Sequence, residues 1–202
     1  MAEAEGIKMN LLDIGGGFPG NDNQFFEELA AVINQQIQNH FRQNIEIIAE
    51  PGRFLVESCQ TIVTRIISTR TKPDYMDYFT NEGIYGALNY IYFDTSSCRP
   101  EVLIQFEPND KIVSIGKATI KRNLTPIQLK STVWGPTCDG QDKLFDDFEM
   151  KVLKTGDYLI WFNIGAYSTE SASTFNGFPL PKRFYTGVVK SPSPNYNSCV
   201  VQ

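Results

Sequence analysis

Apolar positions along this chain follow two different patterns, and the change falls near residue 54. Residues 11–20 read LLDIGGGFPG, a short apolar run that breaks into glycines. Phe26, Leu29, Ala30, Ile33, Ile37 and Phe41 then recur at helical spacing and predict one amphipathic helix. Asn21, Asp22 and Asn23 can each cap its start. A second apolar run ends in IIAEPGR at residues 47–53. The sum is a strand–helix–strand unit with a glycine-bearing loop after each strand. Ahead of it, MAEAEGIK reads as the last turn of a helix stopped by Gly6.

Beyond Arg53 the period shortens. Residues 54–71 are rich in Val, Ile and Thr, as strands are. Residues 84–94, 101–106, 126–134, 157–164 and 183–189 also read as strands, punctuated by Asn, Gly, Pro and Asp. This predicts an all-β part of roughly 130 residues, a barrel or sandwich. The tail SPSPNYNSCVVQ is polar and Pro-bearing and is expected to be mobile. No internal repeat is visible.

Composition narrows the function classes. The 202 residues suffice for one large or two small domains, and 42% hydrophobic content supports a core. The net charge of -5 comes with no basic patch interleaved with aromatics, which argues against nucleic acid. No apolar run approaches membrane length and no leader is visible. Cys59, Cys98, Cys138 and Cys199 form no C-x-x-C pair, so reduced thiols in a cytoplasmic protein are expected. His40 is the single histidine and sits at the end of the predicted helix. A Ser-His-Asp or Cys-His mechanism is therefore not expected from this chain.

The loops carry the candidate chemistry. Gly15, Gly16 and Gly17 remove side chains where backbone must approach a ligand or turn through positive φ. Amides of such a loop, next to a helix start, form an anion site, and Arg53 adds a fixed cationic fork. Gly15, Gly17 and Gly20 match G-x-G-x-x-G, the dinucleotide fingerprint. That fingerprint needs an acidic residue about 20 positions on. Glu50 lies well beyond it, and Pro19 falls where the helix should begin. A plain Gly-rich turn explains the glycines but not EPGR. Two consecutive strands, each ending in a phosphate-type loop, suit the closing strands of a (β/α)₈ barrel.

Later loops are more ambiguous. TVWGPTCDGQD, residues 132–142, would project Cys138 and Asp139, or be a structural turn capped by Asp139. Asp94 ends a predicted strand, where an Asp is commonly a turn former. FNIGAYSTESASTFNGF, residues 162–178, places Tyr167 in a run of small residues suited to a ligand or to a plain surface loop.

Taken together, LLDIGGGFPG, AEPGRFLVES, WGPTCDGQD and GAYSTESASTFNGF resemble the fold type III decarboxylases that use pyridoxal phosphate. Within them the chain is similar to the eukaryotic ornithine decarboxylases. The likeness runs from about Gly6 to Val189, with four motifs in order. It implies an α+β, multidomain chain: the last two β/α units of a (β/α)₈ barrel (1–58), a β-barrel or sandwich domain (59–190) and a flexible tail (191–202).

By resemblance, Gly15, Gly16 and Gly17 bind the cofactor phosphate through backbone amides, and Arg53 and Tyr167 contact the same phosphate. Glu50 pairs with the pyridine nitrogen. Asp94 and Asp139 hold the distal amine of ornithine, and Cys138 protonates near Cα. The Cys-Asp loop reaches the other subunit's site, which implies a homodimer. Phe93 stands where the family often has Tyr, so a hydroxyl near the substrate is lost.

The family's Schiff-base lysine and its ring-stacking histidine belong to an earlier part of the barrel that these residues do not include. Lys8 is at the wrong end of its strand to replace the lysine. Two parallel strands and one helix also leave edges that need a cover: missing sequence, a partner chain, or neither if the protein is a non-functional fragment. A non-catalytic relative of the antizyme-inhibitor kind, regulating polyamine synthesis by binding, is the alternative. The chain alone is expected to form no covalent adduct with pyridoxal phosphate; a lysine-dependent absorbance band reducible by borohydride would contradict this.

Overall fold

The computed structural model describes residues 2–41, 45–92, 101–103 and 128–185. Two strands and a helix open it: β1 (Leu11–Asp13), α1 (Asn23–His40) and β2 (Glu46–Ile48). β1 and β2 pair in parallel, with Leu12 opposite Ile47. The predicted strand–helix–strand unit is present, and Ala2–Glu5 form a short 3₁₀ turn ended by Gly6 at φ 74°.

Local chemistry sets the helix ends. The Asp22 side chain accepts the Phe25 amide at 2.9 Å and caps the start. The Phe41 amide closes the end on the Ile37 carbonyl at 3.0 Å. The face that periodicity predicts is the face turned inward, except at its end, where Phe41 is the exposed C-cap. Phe26, Leu29, Ala30, Ile33 and Ile37 are half-buried, and every other α1 residue is exposed. Nothing in α1 is fully buried. Leu11, Ile47 and Ile48 of the two-stranded sheet are exposed as well.

α2 (Gly52–Val56) and a 3₁₀ turn (Glu57–Cys59) come next. Then follow β3 (Ile62–Lys72), β4 (Tyr75–Thr80), β5 (Glu101–Leu103), β6 (Gln128–Trp134), β7 (Lys143–Lys151) and β8 (Tyr158–Trp161). They make a six-stranded sheet in the order β5-β8-β3-β4-β6-β7. Neighbours run antiparallel except β4 and β6, which are parallel. β3 does two jobs. Its first half, Ile62 to Arg65, pairs with β8, and after Ile66 it pairs with β4 across a register shift. One strand with partners on opposite sides at its two ends curls the sheet.

The core lies inside that curl. Ile62, Thr64 and Ile66 of β3 are buried while Val63, Arg65 and Ile67 are exposed, a clean period of two. Trp161, Tyr78, Leu159, Val133, Leu144 and Leu88 fill the space with almost no exposure. Their polar atoms are paired: the Trp161 indole N–H donates to Thr64 Oγ1 at 3.0 Å, and the Tyr78 hydroxyl accepts the Leu153 amide at 3.1 Å.

Several expectations shift. Residues 54–61 are helical turn and connection, and the strand expected over 54–71 starts only at Ile62. The strand expected over 84–94 is instead a chain of turns and a 3₁₀ helix, Asn89–Tyr92, as far as Tyr92. Its apolar residues Ile84, Ala87, Leu88 and Ile91 are buried at helical, not alternating, spacing. The Glu82 carboxylate holds the turn by accepting the amides of Gly83 and Ala87, each at 3.0 Å. β4 and β7 were not expected; in β7 the Asp, Glu and Lys content masks the alternation, and β4 is a short run of six residues interrupted by Asp77. Residues 183–185 are irregular, while 104–106 and 186–189 lie outside the described residues.

One carboxylate on this sheet links stability to pH. Asp77 on β4 is 1% exposed and accepts Arg70 Nε at 2.7 Å, Lys72 Nζ at 3.0 Å and the Trp134 indole at 3.4 Å. Burial pushes its carboxyl up, but the bonds from Lys72, Arg70 and Trp134 outweigh burial and leave it below the usual Asp value. A depressed folded-state value means stability that is full above the unfolded pKa of about 3.9 and lost as pH falls through the folded one. Asp77→Ala is expected to cost about 1–3 kcal/mol at pH 7, since Arg70 and Lys72 can return to water. In urea unfolding, that difference from the wild type should shrink steadily below pH 4.

Candidate active site

The site begins where β1 and β2 end. The Ile14 amide still bonds the Ile48 carbonyl at 3.0 Å, and then the Glu50 amide bonds the Gly15 carbonyl at 2.7 Å. Gly15 and Gly17 turn at φ 67° and 80°, a region that favours glycine. Gly16 has no room for a Cβ, which would strike the Glu50 carbonyl oxygen. A Cβ on Gly20 would lie 2.7 Å from the Phe54 carbonyl oxygen. The two loops therefore lie backbone against backbone, and the glycine motif is what permits it.

That contact positions Arg53 in the first turn of α2. Its guanidinium carbon lies 4.2 Å from the centre of the Tyr90 ring and 5.4 Å from that of Tyr167. Nη1 is 3.6 Å from Glu57 Oε1, an ion pair too long for a hydrogen bond. This buried nitrogen has no hydrogen-bond partner. Glu57, 3% exposed, instead accepts the Gly20 amide through Oε2 at 2.7 Å.

Tyr167 reaches Arg53 because its loop is stitched to α2. The Gly165 amide bonds the Glu57 carbonyl at 2.8 Å, and the Ile164 amide bonds Gln60 at 3.0 Å. Gly165 packs against the Val56 carbonyl with no space for a side chain. Tyr167 itself is in the left-handed region at φ 56° and remains exposed.

A second cluster surrounds Cys138 and Asp139. Buried Asp142 builds their loop. It accepts the Ile84 amide at 3.0 Å, the Thr137 amide at 3.0 Å and the Thr137 hydroxyl at 2.7 Å. Gly83 and Gly135 both pack on that carboxylate. The Tyr85 hydroxyl donates a hydrogen bond to Asp139 Oδ2. This bond holds the Asp139 carboxyl below its ordinary value and pushes Tyr85 up to about 12. The Tyr85 ring stacks on Phe175 at 4.1 Å. Asn176 Nδ2 lies 3.7 Å from the exposed Cys138 Sγ.

The two clusters share connecting segments. Residues 82–92 offer Tyr85 to Asp139 and Tyr90 to Arg53. Residues 164–178 offer Tyr167 to Arg53, and Phe175 and Asn176 to the Cys-Asp loop. Asn89 ties the segments together through the Ser168 carbonyl at 2.9 Å. Gly15, Gly16, Gly17, Glu50, Arg53 and Tyr167 thus form one cluster and Cys138 and Asp139 another. Asp94 lies outside the described residues.

Residue-by-residue reading missed Glu57, Tyr85, Tyr90, Asp142 and Phe175. Only Glu57 leaves a local trace, four residues after Arg53 on a helical turn. The described residues include no His/Cys/Asp/Glu group suited to a metal and no helix long and apolar enough to cross a membrane.

Residues 27–165 match the model of the pyridoxal-dependent decarboxylase C-terminal sheet domain. The chain belongs to this family. It is 38% identical to ornithine decarboxylase 2 of Drosophila melanogaster, over 92% of this chain and 45% of that protein. It is 34% identical to antizyme inhibitor 2 of Xenopus laevis, over 88% of this chain and 39% of that protein. Among solved structures, the Paramecium bursaria Chlorella virus arginine decarboxylase bound to agmatine superposes with a TM-score of 0.65 at 29% identity. That match covers 88% of this chain and 44% of the viral enzyme. The chain therefore spans less than half the length of the curated relatives it matches.

For this family member, the Tyr85–Asp139 bond gives a direct electrostatic test. Removing the hydroxyl in Tyr85→Phe should return the Asp139 carboxyl toward its ordinary value. Carboxyl-carbon NMR titration reads this; an unchanged Asp139 would show that another group holds it low.

Proposed function

We propose that this chain supplies the phosphate-binding and sheet portion of a pyridoxal-phosphate-dependent ornithine decarboxylase, which converts ornithine to putrescine in polyamine biosynthesis. The observation that carries the reading is Arg53: a cation between two tyrosine rings, with a buried Nη1 lacking an acceptor, beside a cradle that only glycine fits. A phosphate supplies the acceptor that Nη1 lacks, so the residues present fit the cofactor's anionic group. When bound, pyridoxal phosphate draws electrons from the carbon that loses carbon dioxide.

The chain's own residues divide the remaining work. Amides of Gly15, Gly16 and Gly17, with Arg53 and Tyr167, hold the phosphate. The Glu50 carboxylate keeps a proton on the pyridine nitrogen. Asp94 and Asp139 hold the distal ammonium of the substrate. For Asp139 the Tyr85 bond serves this role by fixing the carboxylate in place. The Cys138 thiol gives its proton to Cα after the carboxylate has left. The unit acts in the cytoplasm as a homodimer, with the Cys-Asp loop serving the partner's site, and together with a lysine-bearing barrel segment that these residues do not include. Alone it is inactive. The division of the chain into 1–58, 59–190 and 191–202 belongs to the same reading.

The likeness to an antizyme inhibitor favours a second reading, a non-catalytic regulator that works by binding. Retention of Arg53, Tyr167, Cys138 and Asp139 favours the enzyme. Titration of the full chain with pyridoxal phosphate, followed by cofactor fluorescence, separates the two. Reversible binding is expected, weakened about 10- to 100-fold in Arg53→Met, the worth of a hydrogen bond to a charged group. No binding by the wild type, together with tight antizyme capture, would favour the regulator instead.

A further inference from the structure

Glu57 has no part in the chemistry above, yet it is a buried carboxylate inside the phosphate cradle. Its Oε2 takes the amide of Gly20, in the glycine loop that the cradle is built from, at 2.7 Å. Its Oε1 faces Arg53 Nη1 at 3.6 Å, drawing on the guanidinium charge without using that nitrogen's proton. We propose that Glu57 is an internal counter-anion that sets the affinity of this cradle for phosphate. The inference rests on the phosphate reading of Arg53 and deepens it.

The physics is a competition for one cation. A phosphate monoester brings close to two negative charges near pH 7. On Arg53 it would meet a charge already offset by Glu57, and would stand near that carboxylate in a partly buried site. Like charges repel strongly where water is scarce. Against this stands a benefit, since Glu57 also holds Arg53 and Gly20 in place. Orientation of one side chain is the smaller contribution, because the Tyr90 ring at 4.2 Å also fixes the guanidinium. Repulsion therefore dominates, and Glu57 lowers anion affinity while it staples the two loops together.

The test titrates inorganic phosphate and, separately, pyridoxal phosphate into the full chain by calorimetry. Glu57→Gln keeps an oxygen for the Gly20 amide and removes only the charge. It should tighten both ligands about tenfold, and Glu57→Ala should also tighten them, with thermal melts reporting that each variant is folded. Binding that is unchanged or weaker in both variants, while the wild type still binds and Arg53→Met does not, overturns the role of Glu57 and leaves the phosphate reading intact. If neither the wild type nor the Glu57 variants bind either ligand, both fail together.

Discussion

The close backbone approach of two strand-end loops governs the rest of this molecule. The Gly15 carbonyl bonds the Glu50 amide, Gly16 lies on the Glu50 carbonyl and Gly20 on the Phe54 carbonyl. A side chain at Gly16 or Gly20 would push these loops apart. Arg53 would then leave the cradle, Glu57 would lose the Gly20 amide, and the Tyr167 loop, packed through Gly165 on Val56, would lose its footing. Glycine is needed here less for flexibility than for thickness: backbone must touch backbone.

From that contact, position passes outward through residues 82–92. The segment is neither strand nor long helix because two carboxylates, Glu82 and Asp142, take its amides. It buries Ile84, Leu88 and Ile91 in the sheet core and so is fixed from within. Its half-buried Tyr85 and its buried Tyr90 reach the two functional clusters. Rigid packing below and polar contacts above are how a loop becomes a precise support for chemistry.

The two clusters also divide the electrostatic labour. At Arg53, a cation is surrounded by ring faces and one carboxylate, with a donor left over. At the Cys-Asp loop, an anion is held in place by a tyrosine hydroxyl. The first arrangement suits an anionic group and the second a cationic one.

Much of this was legible from the residues alone. The apolar face of α1, the glycine loop after β1 and the Val/Ile/Thr-rich stretch that becomes β3 from Ile62 are local patterns, legible without the fold. Four motifs in order were enough to point to the family. What the sequence could not decide was long-range. Burial of Asp142 beneath two glycines, the Tyr90 ring on Arg53, Glu57 between two loops and Tyr85 on Asp139 join residues far apart in the chain, with no periodic signal between them. The segment 84–92 reads as a strand because its Ile and Tyr content suits one, while its burial follows helical spacing. Sequence determines which groups are present and the local path of the backbone. Only tertiary packing decides which charges share a cavity, because desolvation and distance, not order along the chain, set their interaction.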